Sequence, residues 1–209
     1  NYILILAQLS QELSVNPAQN IKTIVEFTHR ILGGTCSLYN KLNQRNNSLI
    51  CWATENPPDD LPNSDKAAGH ICYEATIKGK SDVVALENIA ETDYKNTDPY
   101  VKKYNLKSYL GAPVKDNEQC FGSLCIVDTK QRQFSDLEIQ MIRHLASLLQ
   151  LQEDRLQLDK TQTVLYKLAR PLMTSHNINE LSKEIKSHLK SIIDFDHFNL
   201  IVPGEHIDQ

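Results

Sequence analysis

Ser108-Tyr-Leu-Gly-Ala-Pro-Val114 and Cys120-Phe-Gly-Ser-Leu-Cys-Ile-Val-Asp128 flank the polar turn Asp116-Asn117-Glu118, and together they read as two strands of a hairpin. Pro113 has no amide to donate to a ladder, so its strand is expected at a sheet edge or bulged there. In the second run Leu124 and Ile126 share one face and Cys125 and Val127 the other, because strand side chains alternate. Gly122 leaves room for backbone or a helix to pack close to the sheet. Downstream, Ser135 with Glu138 three residues on makes a capping box, and a helical pattern continues from there to about residue 175.

Upstream, Leu6, Leu9 and Leu13 mark a first helix over 2–14. Asn16-Pro17 breaks it and starts a second, which carries Ile21, Ile24, Val25, Thr28 and Leu32 on one side. Gly33-Gly34 stops that helix, and a hairpin follows, 35–42 and 48–54 around a polar turn. Residues 55–66 form a Pro/Asp/Asn loop, 67–76 a short helix and 83–86 a small strand. The stretch 88–106, with Tyr94, Tyr100 and Tyr104, reads as a long loop with one helical turn. Hairpins mixed with helices, rather than regular βαβ units, indicate an α+β fold with a mainly antiparallel sheet.

A chain of 209 residues accommodates one domain of ordinary size and a substantial remainder. The net charge of −4 argues against bulk electrostatic binding of nucleic acid. No apolar run approaches the roughly 20 residues needed to cross a bilayer. The opening Tyr2-Ile3-Leu4-Ile5-Leu6-Ala7 lacks a basic start and is short for a signal peptide, so a cytoplasmic protein is expected. The five cysteines are odd in number and scattered, which suits reduced thiols better than a disulfide framework. Cys120 and Cys125 stand an odd distance apart in one strand, so they are expected on opposite faces, and no metal site is expected.

The segment 107–146 resembles the C-terminal half of a GAF domain, the small sensory module of bacterial signalling proteins. The resemblance is carried by Ser108 to Val114, by Gly122-Ser123-Leu124-Cys125-Ile126, by Phe134-Ser135-Asp136, and by Ile139, Ile142, Leu145 and Ala146. With the two helices before the first strand it covers residues 5 to about 150. It implies a GAF/PAS-like central antiparallel sheet of about five or six strands flanked by helices, with a long C-terminal connecting helix. It also implies a pocket between the sheet and a lid formed by 55–76 and 88–106.

For a small polar or aromatic ligand the site residues expected in that pocket are Tyr39, Trp52, His70, Cys72, Tyr109 and Cys125. Aromatic rings supply a flat face and a polar tip. The competing reading is that these side chains simply fill the core. The cofactor is left open. Bilin-binding relatives carry a chromophore cysteine on the lid, and this chain has none between Cys72 and Cys120. Cyclic-nucleotide relatives carry Asn-Lys…Phe-x-x-x-Asp-Glu. Asn40-Lys41 and Phe134 are present, but Glu138-Ile139 replaces the final acidic pair. Haem-binding relatives use a histidine, for which His70 is the placed residue, although a lone histidine is more often structural. Redox sensing through Cys72 or Cys125 needs an exposed thiol of depressed pKa. With no Gly-x-Ser-x-Gly elbow and no phosphate-cradling glycine loop, an enzyme is not expected.

Leu151, Leu158, Leu165 and Leu172 recur at intervals of seven, with Leu148 in an intervening position, and Ile142, Leu149 and Leu156 form a parallel line. Such stripes form coiled-coil seams, so a homodimer through this helix is expected. Pro171 is expected to bend or restart it. Residues 165–202 repeat the order of residues 6–42: Leu181, Ile185 and Ile192 match Ile21, Val25 and Leu32, and His197-Phe198-Asn199-Leu200 match the strand Ser37-Leu38-Tyr39-Asn40. The expected organisation is therefore a GAF-like sensory domain over 1–150, a connecting helix over 136–175, and the start of a second GAF-like domain over 164–209. The resemblance implies a non-catalytic input module, of a histidine kinase, diguanylate cyclase/phosphodiesterase or transcription activator, which binds a small molecule or dimerises and signals to an output domain in the same chain. The alternatives are a purely structural dimerisation module and a cysteine-based redox sensor.

Overall fold

Asn16 and Pro17 start the helix that anchors the sheet. In the computed structural model, which describes residues 2–79, 81–116, 119–174, 177–190 and 197–199, the Asn16 side chain accepts from the Ala18 and Gln19 amides at 3.0 and 3.2 Å. Proline at the first helical position loses no hydrogen bond. This helix, α2 (Pro17–Leu32), follows α1 (Tyr2–Glu12) and fully buries Ile21, Ile24, Val25 and Phe27. Each such side chain contributes about 1.5–3 kcal/mol by leaving water. Gly33 and Gly34, both at positive φ, then turn the chain into the sheet, and a Cβ on Gly34 would collide with Ile126.

The sheet holds β1 (Cys36–Asn43), β2 (Ser48–Glu55), β3 (Ser64–Lys66), β4 (Val84–Leu86), β5 (Ser108–Asp116) and β6 (Gln119–Asp128). The order is β3-β2-β1-β6-β5-β4, with every neighbouring pair antiparallel. This is the α+β architecture read from the sequence. β4 pairs only with Tyr109, Leu110 and Gly111, so Pro113 lies past its end at the open edge of β5. The β5–β6 register also slips just beyond, between Val114 and Lys115. Helices α2 and α5 cover one face. Between α3 (Tyr94–Thr97), α4 (Pro99–Lys103) and the sheet lies the other side of the domain, where a π-helical turn (Cys72–Ile77) also sits.

Two expectations about the cover change. Of the helix expected over 67–76 only a π-helical turn forms, Cys72–Ile77, whose following Lys78 amide bonds the Tyr73 carbonyl at 2.8 Å, and β3 lies within the loop expected over 55–66. Gly69 at φ 92° turns the chain before a helix can form, and a Cβ there would press on the Thr97 carbonyl. The loop over 88–106 is built from three short turns, a 3-10 turn at Ile89–Glu91 and then α3 and α4. Asn88 and Asp98 cap two of them, and each is too short to show a helical period.

The capping box at the start of α5 (Asp136–Thr174) is complete. Glu138 accepts from the Ser135 amide at 2.8 Å, its own amide donates to the Ser135 hydroxyl at 3.3 Å, and Arg132 pairs with the Glu138 carboxylate. Met141, Ile142, Leu145, Ala146 and Leu149 are buried. Asn20 on α2 donates to Gln152 on α5 at 2.8 Å, a buried bond that fixes how the two helices meet. The helix does not restart at Pro171 but runs on through it to Thr174.

The chain divides into two units, Asn1–Arg155 and Leu156–Gln209. In the second, Leu158 and Leu165 are exposed, and α6 (Ile178–Lys190) carries Leu181 and Ile185. Ile192 and Leu200 lie outside the described residues. Residues 197–199 are not in a strand.

Candidate functional site

Alternation along β1 divides its side chains between two environments. Ser37, Tyr39 and Lys41 face the helices: the Ser37 hydroxyl donates to the Val25 carbonyl at 2.9 Å, the Tyr39 hydroxyl donates to Glu153 at 3.0 Å, and Lys41 pairs with the same carboxylate at 2.7 Å. Cys36, Leu38 and Asn40 face the cover, where they line a cavity of about 190 Å³ with mainly apolar walls. By the volume one water needs, that is space on the order of a dozen heavy atoms.

Of the residues expected at the site, His70, Cys72, Tyr109 and Cys125 line this cavity together. Tyr39 and Trp52 do not. Tyr39 is on the opposite face, where burial pushes its hydroxyl pKa up. Trp52 is the extra residue of a bulge in β2, since Tyr39 pairs with Ala53 and Asn40 with Cys51, and its ring stands 6.2 Å from that of Tyr39. A second bulge corrects the reading of Cys120. The β6 register skips Phe121, so Cys120 packs with Leu49, Ala67 and Ile77 under the cover, on the same side as Cys125. The odd sequence separation no longer implies opposite faces once a residue is inserted. Among the described residues no group of three or more His, Cys, Asp or Glu is placed to hold a metal.

The polar end of the cavity joins the two cover segments. His70 is 4% exposed, with Nδ1 3.3 Å from Asp98 and Nε2 3.5 Å from Asp65, and its ring lies 4.7 Å from Tyr100. Asp98 also accepts from the Ile71 and Tyr100 amides, each at 2.9 Å. The Tyr100 hydroxyl donates to Asp65 at 2.9 Å. Burial opposes the charged imidazole, but the Asp98 and Asp65 carboxylates outweigh it and His70 is raised above its ordinary value. A raised histidine stabilises the fold fully below its ordinary pKa near 6.5, and the contribution fades as pH rises through the folded value. Replacing His70 by Gln is therefore expected to destabilise the protein more at about pH 5.5 than at about pH 9 in urea unfolding, and an equal loss at both would show that the carboxylates do not hold a charged ring.

Tyr109 lies over Gly111, where any Cβ would strike its ring, and so its hydroxyl reaches Thr76 at 2.7 Å. Four of the cavity residues are thiols. Burial pushes Cys36 up to about 12 and Cys51 up to about 11, and raises Cys72 and Cys125 as well. In each, burial favours the neutral thiol over the nucleophilic thiolate. Sequence reasoning did not single out Cys36, Cys51, Asp65, Asp98 or Leu106. Only Asp98-Pro99 carried a local signal, that of a capped helix start.

The GAF domain model matches residues 16–152, about two thirds of the chain. The chain belongs to the GAF domain family. Among solved structures its fold is similar to a GAF domain from an Acinetobacter phosphoenolpyruvate-protein phosphotransferase, with TM-score 0.61 and 15% identity, covering 77% of this chain and 97% of that one. It is also similar to the free methionine-R-sulfoxide reductase of Neisseria meningitidis, with TM-score 0.60 and 16% identity, covering 72% and 87%. A third is the phycoerythrobilin-bound GAF domain of a cyanobacterial phytochrome, with TM-score 0.60 and 15% identity, covering 77% and 98%. At such identities the likeness is one of fold. No curated protein sequence matches the chain. GAF domains are regulatory and sensory modules found in signalling proteins such as chemotaxis proteins and phytochromes. Among the described residues no helix is long and apolar enough to cross a membrane.

Proposed function

We propose that this GAF domain is the non-catalytic input module of a signalling protein, and that it binds a small molecule in the cavity beneath its cover. The observation that carries this reading is the double role of β1. Leu38 and Asn40 form cavity wall, while Tyr39 and Lys41 between them hold Glu153 of α5. A ligand that prefers one position of that strand shifts the population of α5 positions by its differential affinity. The helix then passes the shift to a second copy and to an output domain. Leu151, Leu158 and Leu165 support the pairing, being 53%, 57% and 60% exposed at heptad spacing, with Leu148 half-buried beside them.

The reductase neighbours raise the question of chemistry. The raised thiols here favour a receptor over a cysteine enzyme or redox sensor. The competing reading is a structural dimerisation module with no ligand. Native mass spectrometry of the freshly purified protein separates the two: a small molecule carried with the chain is expected, and a bare mass on protein from several growth conditions would favour the structural module. Substituting Leu158→Glu and Leu165→Glu together is expected to halve the mass seen by light scattering without changing the circular dichroism of the domain. An unchanged mass would remove the helix pairing from this reading.

A further inference from the structure

The hydrogen-bonding capacity of the cavity is almost entirely used internally. Its charged residues are Asp65, His70 and Asp98, and these compensate one another. The Tyr109 hydroxyl is taken by Thr76, that of Tyr104 by the Asp60 carbonyl, and that of Thr35 by Asp128 and Thr129. Ser64 is exposed to water. Thiols are weak donors and weak acceptors. Asn40 is different. It is 8% exposed, it lines the cavity from the middle of β1, and its side-chain amide has no hydrogen-bond partner among the described residues.

One donor-acceptor group that faces an apolar cavity without a protein partner is the arrangement that orients a ligand. We infer that Asn40 is the specificity residue of the cavity, and that the ligand is an uncharged, mainly apolar molecule whose amide, carbonyl or hydroxyl group pairs with it. This rests on the reading of the cavity as a ligand site and adds the ligand's chemistry. A net charge is disfavoured because it would be desolvated without an uncompensated counter-charge to meet it. The amide's position also bears on signalling, since a ligand held by Asn40 pulls on the residue between Tyr39 and Lys41, both bonded to Glu153.

Three probes of one shape test this: toluene, benzamide and benzoate, each titrated into the 15N-labelled chain and followed by NMR. Benzamide is expected to shift the Asn40 side-chain amide pair and to bind about tenfold more tightly than toluene, the worth of one hydrogen bond to a buried group. Benzoate is expected to bind least. In Asn40→Leu the preference for benzamide over toluene is expected to vanish. Asn40→Ala serves the same comparison should the larger side chain prevent folding, and the amide shift in the unsubstituted protein decides without either variant. Equal binding of toluene and benzamide, with the Asn40 amide unmoved, would overturn the assignment while leaving the cavity a ligand site. Tighter binding of benzoate would overturn the uncharged ligand. Failure of all three to shift Leu38, Asn40 or Tyr109 would overturn the assignment together with the ligand-binding reading of the cavity.

Discussion

Replacing Lys41 by Met is expected to destabilise the domain by about 3–5 kcal/mol, the largest loss from any single polar side chain in it. The reason is Glu153. Its side chain is 3% exposed and its two oxygens are held by the Tyr39 hydroxyl and the Lys41 ammonium. Removing the ammonium leaves a buried carboxylate with one neutral donor, and the desolvation it suffered on folding is no longer offset. The double variant Lys41→Met, Glu153→Leu is expected to recover most of the loss, because an apolar pair of similar size has no charge to desolvate. Urea unfolding of the two variants and the parent measures this. A double variant as unstable as Lys41→Met alone would show that the side chains act through packing rather than through the ion pair.

Ile142→Ala and Leu158→Ala are expected to behave differently, though both residues stand in heptad lines of the same helix. Ile142 is fully buried against its own domain, and truncating it is expected to cost about 2–4 kcal/mol from lost burial and the cavity left behind. Leu158 is 57% exposed, and its truncation is expected to cost under about 0.5 kcal/mol when the chain is dilute enough to be monomeric. The variants are to be compared by chemical denaturation at low concentration. A large loss from Leu158→Ala there would mean that its line, too, packs within one chain.

That contrast shows where sequence reading stops. Ile142, Leu149 and Leu156 are indistinguishable by spacing from Leu151, Leu158 and Leu165, because period describes one helix and not its neighbours. Ile142 and Leu149 are core, while Leu151, Leu158 and Leu165 face solvent. The candidate site was legible in the same partial way. His70, Cys72, Tyr109 and Cys125 were found because the GAF resemblance places a lid over one sheet face. Tyr39 and Trp52 were placed on the wrong side. For Tyr39 the pattern alone could not say which face is covered by helices. For Trp52 a bulge breaks the parity on which any such inference depends. Asn40 was noticed only as half of an Asn-Lys pair, and nothing local marks an amide that will have no partner.

Residue order alone determined the succession of helices and strands outside the cover, the helix start at Asn16-Pro17, the capping box at Ser135, the edge position of Pro113, and the division of β6 into two faces from Leu124 to Val127. These follow from backbone geometry and from hydrogen bonds between residues a few positions apart. The tertiary structure decided the parity of Cys120 and Trp52, the buried Tyr39–Glu153–Lys41 node, the His70 clasp between Asp65 and Asp98, and the isolation of the Asn40 amide. Each of these depends on which distant segment lies alongside, and a strand or helix carries no record of its neighbour until the chain has packed.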